Sequence, residues 1–174
     1  MRNKVLFTLI MLFIFIVLLF VQIYIIDGKT LFGAKPNLIL ISVIVFTSFA
    51  GLYNGTIYSF VVGTIMDFIY GSDFGIFLTS YVIVAIIIGA IEKNYRKQNK
   101  NTLIIITFIG TSIFEVICCI IYSILCQKVP NIFSLLGQLI ISSLLNMVIV
   151  FVLNGIVQKI AEYFEIKSRK KDIL

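Results

Sequence analysis

Two carboxylates, Asp67 and Glu115, sit inside otherwise apolar runs of this 174-residue chain, and they are the side chains whose type and position could do chemistry. An ionisable group inside a membrane segment is costly to keep there, which makes it a functional-site candidate by default. Asp67 belongs to a series spaced four apart: Gly51, Gly55, Ser59, Gly63, Asp67, Gly71 and Gly75. Small residues at i, i+4 on a membrane helix make a groove into which another backbone packs closely. Packing alone does not call for the carboxylate. Four residues turn through more than one full circle, so the series drifts round a helix and suits crossed helices better than a straight seam.

Asp67 lies three-quarters along its apolar run, near the outer interface and within reach of water, where Lys29 or Lys35 could pair with it. Its role is either a functional polar site or an anchor for packing. Glu115 falls midway along a later run and Asn146 midway along the last one, so depth alone allows a hydrogen bond between them. For that pair the readings are a polar relay or an interhelical contact that fixes packing.

Other chemistries find no residues. The chain has no histidine and no tryptophan. Cys118 and Cys119 are adjacent and Cys126 lies further on, which is not a zinc spacing; they read as buried apolar thiols. The Gly51–Gly75 series lies in apolar sequence and lacks the lysine of a phosphate-binding loop. Without histidine no nucleophile–base pair is visible, and Asp67 and Glu115 sit at different depths. No catalytic set is visible, and the expectation is no metal and no cofactor.

The elements that must position these residues follow from composition. The chain is 60% hydrophobic and 13% charged, about half the charge of a soluble domain, with a mean hydropathy of +1.12. Its apolar runs are continuous, not alternating, so it reads as a helical membrane protein and not a barrel. A single membrane domain, 1–174, is expected, with spans at about 6–26, 38–50, 52–70, 74–91, 103–126 and 133–157 and a basic tail at 159–174. Residues 38–70 read either as two short spans or as one long tilted helix, and charge decides. With six spans and the N-terminus inside, the inner face holds Arg2, Lys4, Lys93, Arg96, Lys97, Lys100, Lys159, Lys167, Arg169, Lys170 and Lys171, eleven of the 14 basic residues. Five spans would put the Glu92–Thr102 loop outside, against the positive-inside rule. The break then falls near Ala50-Gly51-Leu52-Tyr53-Asn54. The first run exceeds the length of a signal-peptide core and no small-residue cleavage site follows it, so it reads as a retained span. The net charge of +6 lies on the inner face and reads as topology and lipid attraction, not nucleic-acid binding.

A more specific pattern runs through the centre. Lys35-Pro36-Asn37-Leu38 opens the second span, a Gly/Ser-rich third span carries Gly63-x3-Asp67-x3-Gly71-Ser72-x2-Gly75, and an apolar fourth span ends in the basic loop from Lys93. That order resembles the MreD family of rod-shape-determining membrane proteins. The residue-level match is confined to about Pro36–Lys93; elsewhere only hydropathy matches. The resemblance implies a non-catalytic scaffold subunit of the bacterial wall-elongation complex in the cytoplasmic membrane; the charge count puts both termini on the cytoplasmic side. It implies association with an MreC-like single-span coiled-coil protein, and through it with the MreB filament, a RodA-type polymerase and its transpeptidase. It also implies a six-helix bundle similar to the substrate-binding subunits of energy-coupling-factor transporters. Only Pro36, Asp67, Gly71 and Gly75 carry over as motif positions; Gly55 and Gly63 are packing positions read from the i, i+4 series.

Two other functions stay open. A vitamin-binding transporter subunit would want a polar or aromatic outer pocket and often a small-residue stripe on the first span, yet Leu6–Ile26 contains neither Ala nor Gly. An unrelated membrane enzyme would have only Asp67 and Glu115 to work with. The topology is directly testable. In a background cleared of native cysteines, we expect an outside thiol reagent to reach cysteines placed at Thr30 and Ser72 and to miss those at Gln98 and Ser168; labelling of Gln98 from outside would overturn the six-span reading.

Overall fold

The computed structural model describes residues 2–26, 34–70, 75–94, 100–126, 131, 133 and 135–151, and the regular structure among them is helical. Helix α1 (Arg2–Val21) passes into a π-helical turn, Gln22–Ile26. The stretch Leu38–Tyr70 is two helices meeting at Gly51, whose φ of 83° and ψ of 172° are non-helical; we label residues 38–50 α2 and residues 52–70 α3. Helices α4 (Ile76–Asn94), α5 (Lys100–Cys126) and α6 (Leu135–Phe151) follow. Two stretches, Leu38–Tyr70 and Thr102–Ile124, are long and apolar enough to cross a membrane by length and composition, and Leu12–Ile26, Ile76–Ile91 and Leu135–Phe151 are shorter apolar helices.

The break inside 38–70 is a property of Gly51. A φ near +83° is readily open only to glycine, and it lies within the turn sequence expected from the charge pattern. Gly51 therefore ends a helix and does not line a packing face. The chain folds back at this point. Phe46 of α2 packs on Tyr58 of α3 with ring centroids 4.3 Å apart, and Tyr58 Oη donates to Ser42 Oγ at 3.3 Å. Gly55, four residues past the break, faces Thr47, four residues before it; an added Cβ would lie 2.6 Å from Thr47 Cγ2.

Helix α2 is the centre of the bundle. Every side chain from Leu38 to Ser48 is buried, as expected of a helix that is apolar all round. Around it the usual distribution is reversed. Gln22, Ser59, Asp67, Thr107, Thr111 and Asn146 are buried, whereas Phe13, Tyr53, Phe68, Ile124 and Phe151 are exposed. A protein in water would not present such an exterior; in lipid it carries no cost.

Helices α3 and α4 pack closely, and two glycines set their approach. A Cβ on Gly63 would lie 2.5 Å from Leu78 Cα, and one on Gly89 would lie 2.6 Å from Leu52 Cα. The obstructing atoms are main chain and cannot swing aside. Gly63→Leu and Gly89→Leu should each force α3 and α4 apart and cut the yield of monodisperse protein in detergent severely, well beyond the effect of Leu52→Ala. Overpacking of this kind costs about 1–3 kcal/mol or more. Gly137→Leu, where an added Cβ meets nothing within 4 Å, should behave as wild type. Equal yields for all four variants would show that the pair is not closely packed.

Candidate functional site

Helix α4 begins with Gly75, whose carbonyl accepts the first helical bond from Thr79 N at 3.0 Å. At the N-terminus of a helix the leading amides have no partner within the helix, and a Ser, Thr, Asn or Asp at the N-cap normally satisfies them. Gly75 has no side chain to do so, and its φ of 110° suits glycine. The cap comes from another helix. Asp67 Oδ1 accepts from Phe77 N at 2.9 Å, and Asp67 Oδ2 accepts from Gly75 N at 3.0 Å and Leu78 N at 3.1 Å. One carboxylate thus covers the second and third helical amides and that of the cap residue, the work of a complete capping box.

The reach of a short Asp side chain explains Gly63. It lies one turn before Asp67 on the same face of α3, and its missing Cβ lets the first turn of α4 come close enough for the carboxylate to span the gap. Asp67 is 3% exposed. The rings of Tyr70, Phe77, Tyr81 and Phe114 run on from one another beside it, with centroids 5.4, 6.1 and 5.0 Å apart in that order. The expected reach to water is corrected: the carboxylate is buried, and backbone amides and the α4 dipole, not solvent, hold it. Its hydrogen-bond partners among the described residues are those three amides; of the two lysines proposed to pair with it, Lys29 lies outside the described residues. Gly71 also lies outside them.

A second polar cluster lies where α2 begins. Pro36 precedes Asn37, which caps α2 by accepting Leu40 N on Oδ1 at 2.9 Å. Asn37 N donates to Asn146 Oδ1 of α6 at 2.8 Å, and Asn146 Nδ2 donates to Thr111 Oγ1 of α5 at 3.1 Å. Tyr81 Oη of α4 lies 3.4 Å from Asn37 Nδ2. From the π-helical turn, Gln22 Oε1 accepts Leu38 N at 3.0 Å and Gln22 Nε2 donates to the Pro36 carbonyl at 3.3 Å. The first turn of α2 is thereby tied to the turn after α1 and to α4, α5 and α6.

These contacts correct the pairing expected for Asn146. Its partners are Asn37 and Thr111, whereas Glu115 lies near Ser142, a turn away on α6. The reason is register: Ser112 meets Ser143 at 3.3 Å, so Glu115 falls opposite Ser142. The structure brings Gly63, Asp67 and Gly75 together at one cap and Pro36 and Asn146 together at the other cluster. Glu115 stands apart from both, and Gly55 serves the α2–α3 fold-back.

Sequence reasoning passed over Gln22, Tyr81, Thr111 and Gly89. A lone glutamine within an apolar first span was the one available signal for Gln22, and Gly89 repeats at i, i+4 from Ala85.

Asp67 can be tested on the purified protein. Asp67→Leu leaves three half-buried amides without acceptors, each worth up to about 1–3 kcal/mol, and should lower the thermal midpoint in detergent. Asp67→Asn keeps one acceptor oxygen and should fall between Asp67→Leu and wild type. A wild-type midpoint for Asp67→Leu would rule out the cap.

Comparison with known proteins adds one match. The family model described as rod shape-determining protein MreD matches residues 1–160 of the chain. No curated protein and no solved structure matches it.

Proposed function

We infer the function from one premise: the chain belongs to the rod shape-determining protein MreD family. It is a membrane protein that acts in determining rod shape. Beyond this, we propose that it is a non-catalytic scaffold subunit of the wall-elongation complex. It spans the cytoplasmic membrane six times, with both termini cytoplasmic, in a bundle of the energy-coupling-factor substrate-subunit type. An MreC-like single-span coiled-coil protein is its direct partner, and the RodA-type polymerase, its transpeptidase and the MreB filament are reached through that partner.

The observation that carries this reading, beside the family match, is how the inner polar groups are used. Asp67 is occupied by three amides of α4. Asn146 is occupied by Asn37 and Thr111. Gln22 is occupied by Pro36 and Leu38. A ligand-binding subunit needs convergent polar groups left free for its ligand, and an acid–base site needs a carboxyl poised toward a substrate. Here these three groups hold helices in place, as a rigid platform requires; the buried hydroxyls of Thr47 and Ser48 on α2 have no hydrogen-bond partner among the described residues. The vitamin-binding alternative is correspondingly weaker.

The test is genetic and biochemical together. In rod-shaped cells depleted of their own MreD-family protein, the wild-type chain and Asp67→Asn should restore rod shape, and Asp67→Leu should not, at matched membrane levels. Crosslinking in native membranes should recover a single-span coiled-coil protein. Recovery of ATP-binding-cassette subunits, or of a bound vitamin, would favour the transporter reading instead.

A further inference from the structure

We propose that the α5–α6 seam around Glu115 is the docking surface for a transmembrane helix of a partner protein, which places a lysine or arginine opposite the Glu115 carboxyl. The inference rests on the reading of the chain as a partner-binding subunit and assigns that binding to one face.

Glu115 lies deep in the apolar stretch Thr102–Ile124. At about 1.5 Å per residue it is roughly 20 Å from one end and roughly 14 Å from the other. No end of the helix brings it to water. Its side chain is nevertheless only partly buried. It lies near Ser142, whose hydroxyl donates to the Leu139 carbonyl at 3.3 Å, and no cation faces it among the described residues. A carboxyl group offers about four acceptor sites, so most of its capacity is unmet. The contrast with Asp67 is plain: that carboxylate is buried and takes three donors.

Intramembrane carboxyl groups face a bundle interior or pair with another group, because hydrocarbon satisfies neither charge nor hydrogen bond. Glu115 is half-buried at the α5–α6 seam, and no described residue supplies a counter-charge, so a helix packed on that seam is the natural source of one. The surroundings suit a helix. One turn from Ser142, α6 exposes Gln138, and at Gly137 an added Cβ meets nothing within 4 Å. Small and polar residues are what a second membrane helix packs against. A lysine or arginine has the length to deliver its donors across such an interface, and it neutralises the charge where the dielectric is low.

The remaining outward faces make no such demand. Phe13 of α1 and Tyr53, Phe60 and Phe68 of α3 are exposed but apolar or interfacial. Asn54, Thr56 and Thr64 of α3, none of them buried, turn back onto carbonyls of Ala50, Leu52 and Phe60. No exposed carboxyl lies on those faces among the described residues.

The experiment uses the full chain in native membranes, with a photocrosslinking amino acid at Cys119 or Gln138 on the seam, or at Phe60 or Phe68 on α3. We expect adducts with a single-span membrane protein from the two seam positions and not from α3. Glu115→Gln keeps the contact with Ser142 but removes the charge, and it should reduce the adduct at least about tenfold, the change that 1.4 kcal/mol of affinity gives. Glu115→Lys should abolish it, and exchange of the opposing basic residue of the crosslinked helix for glutamate should restore it. An undiminished adduct with Glu115→Gln, or adducts with a second copy of this chain, would overturn the proposal. Adducts from α3 alone would overturn the surface while leaving the partner-binding function intact. Lipid adducts alone from every position, in membranes that contain the partner, would sink both.

Discussion

Three main-chain amides of α4 end on one buried carboxylate of α3, and the arrangement of the other helices depends on that contact. A helix start buried in an apolar surrounding must satisfy its amides within the protein. Because Asp67 does this from a neighbouring helix, the cap also fixes the height and rotation of α4 against α3. Leu78 then lies against Gly63 and Leu52 against Gly89. Once α4 is set, Tyr81 is presented to Asn37 at the start of α2, and Ser80 to Cys118 Sγ of α5 at 3.4 Å. The Asp67 cap and the Asn37 cluster are therefore linked through the first two turns of one helix.

The same logic governs the start of α2. A helix buried on every side, with its first turn deep in the bundle, exposes amides where no water can serve them. Asn37 and Gln22 satisfy Leu40 and Leu38, and Asn146 takes the amide of Asn37 itself. Gln22 comes from the turn after α1 and Asn146 from α6, so satisfying the start of α2 also assembles its neighbours. In hydrocarbon the hydrophobic effect does not pull helices together, and close packing and interhelical hydrogen bonds take its place. The buried polar groups and the glycine contacts are those two forces in this chain.

Much of this was legible in the sequence. The i, i+4 series around Asp67 marked the packed face of α3, and the carboxylate within it marked the one position where packing was not enough. The turn composition at Ala50–Asn54 located the break that Gly51 makes. What the series did not distinguish was the role of each glycine: Gly55 and Gly63 give room, whereas Gly51 and Gly75 give backbone conformations, and spacing is blind to that difference. The burial of Asp67 was missed because its depth was read from distance along α3, while its surroundings depend on aromatic rings of α4 and α5. The pairing of Asn146 was missed for a related reason. Depth says which residues share a level, but rotation of α5 and α6 decides which face each other, and Ser112 against Ser143 sets it.

The most direct measurement is hydrogen exchange at the amides of Gly75, Phe77 and Leu78 in the purified protein, comparing wild type with Asp67→Ala. The account requires these amides to be strongly protected in wild type and to lose that protection in Asp67→Ala, while the amide of Leu40, capped by Asn37, changes far less. Protection at Phe77 and Leu78 that survives the loss of the carboxylate would contradict it, because the start of α4 would then be held by something other than Asp67.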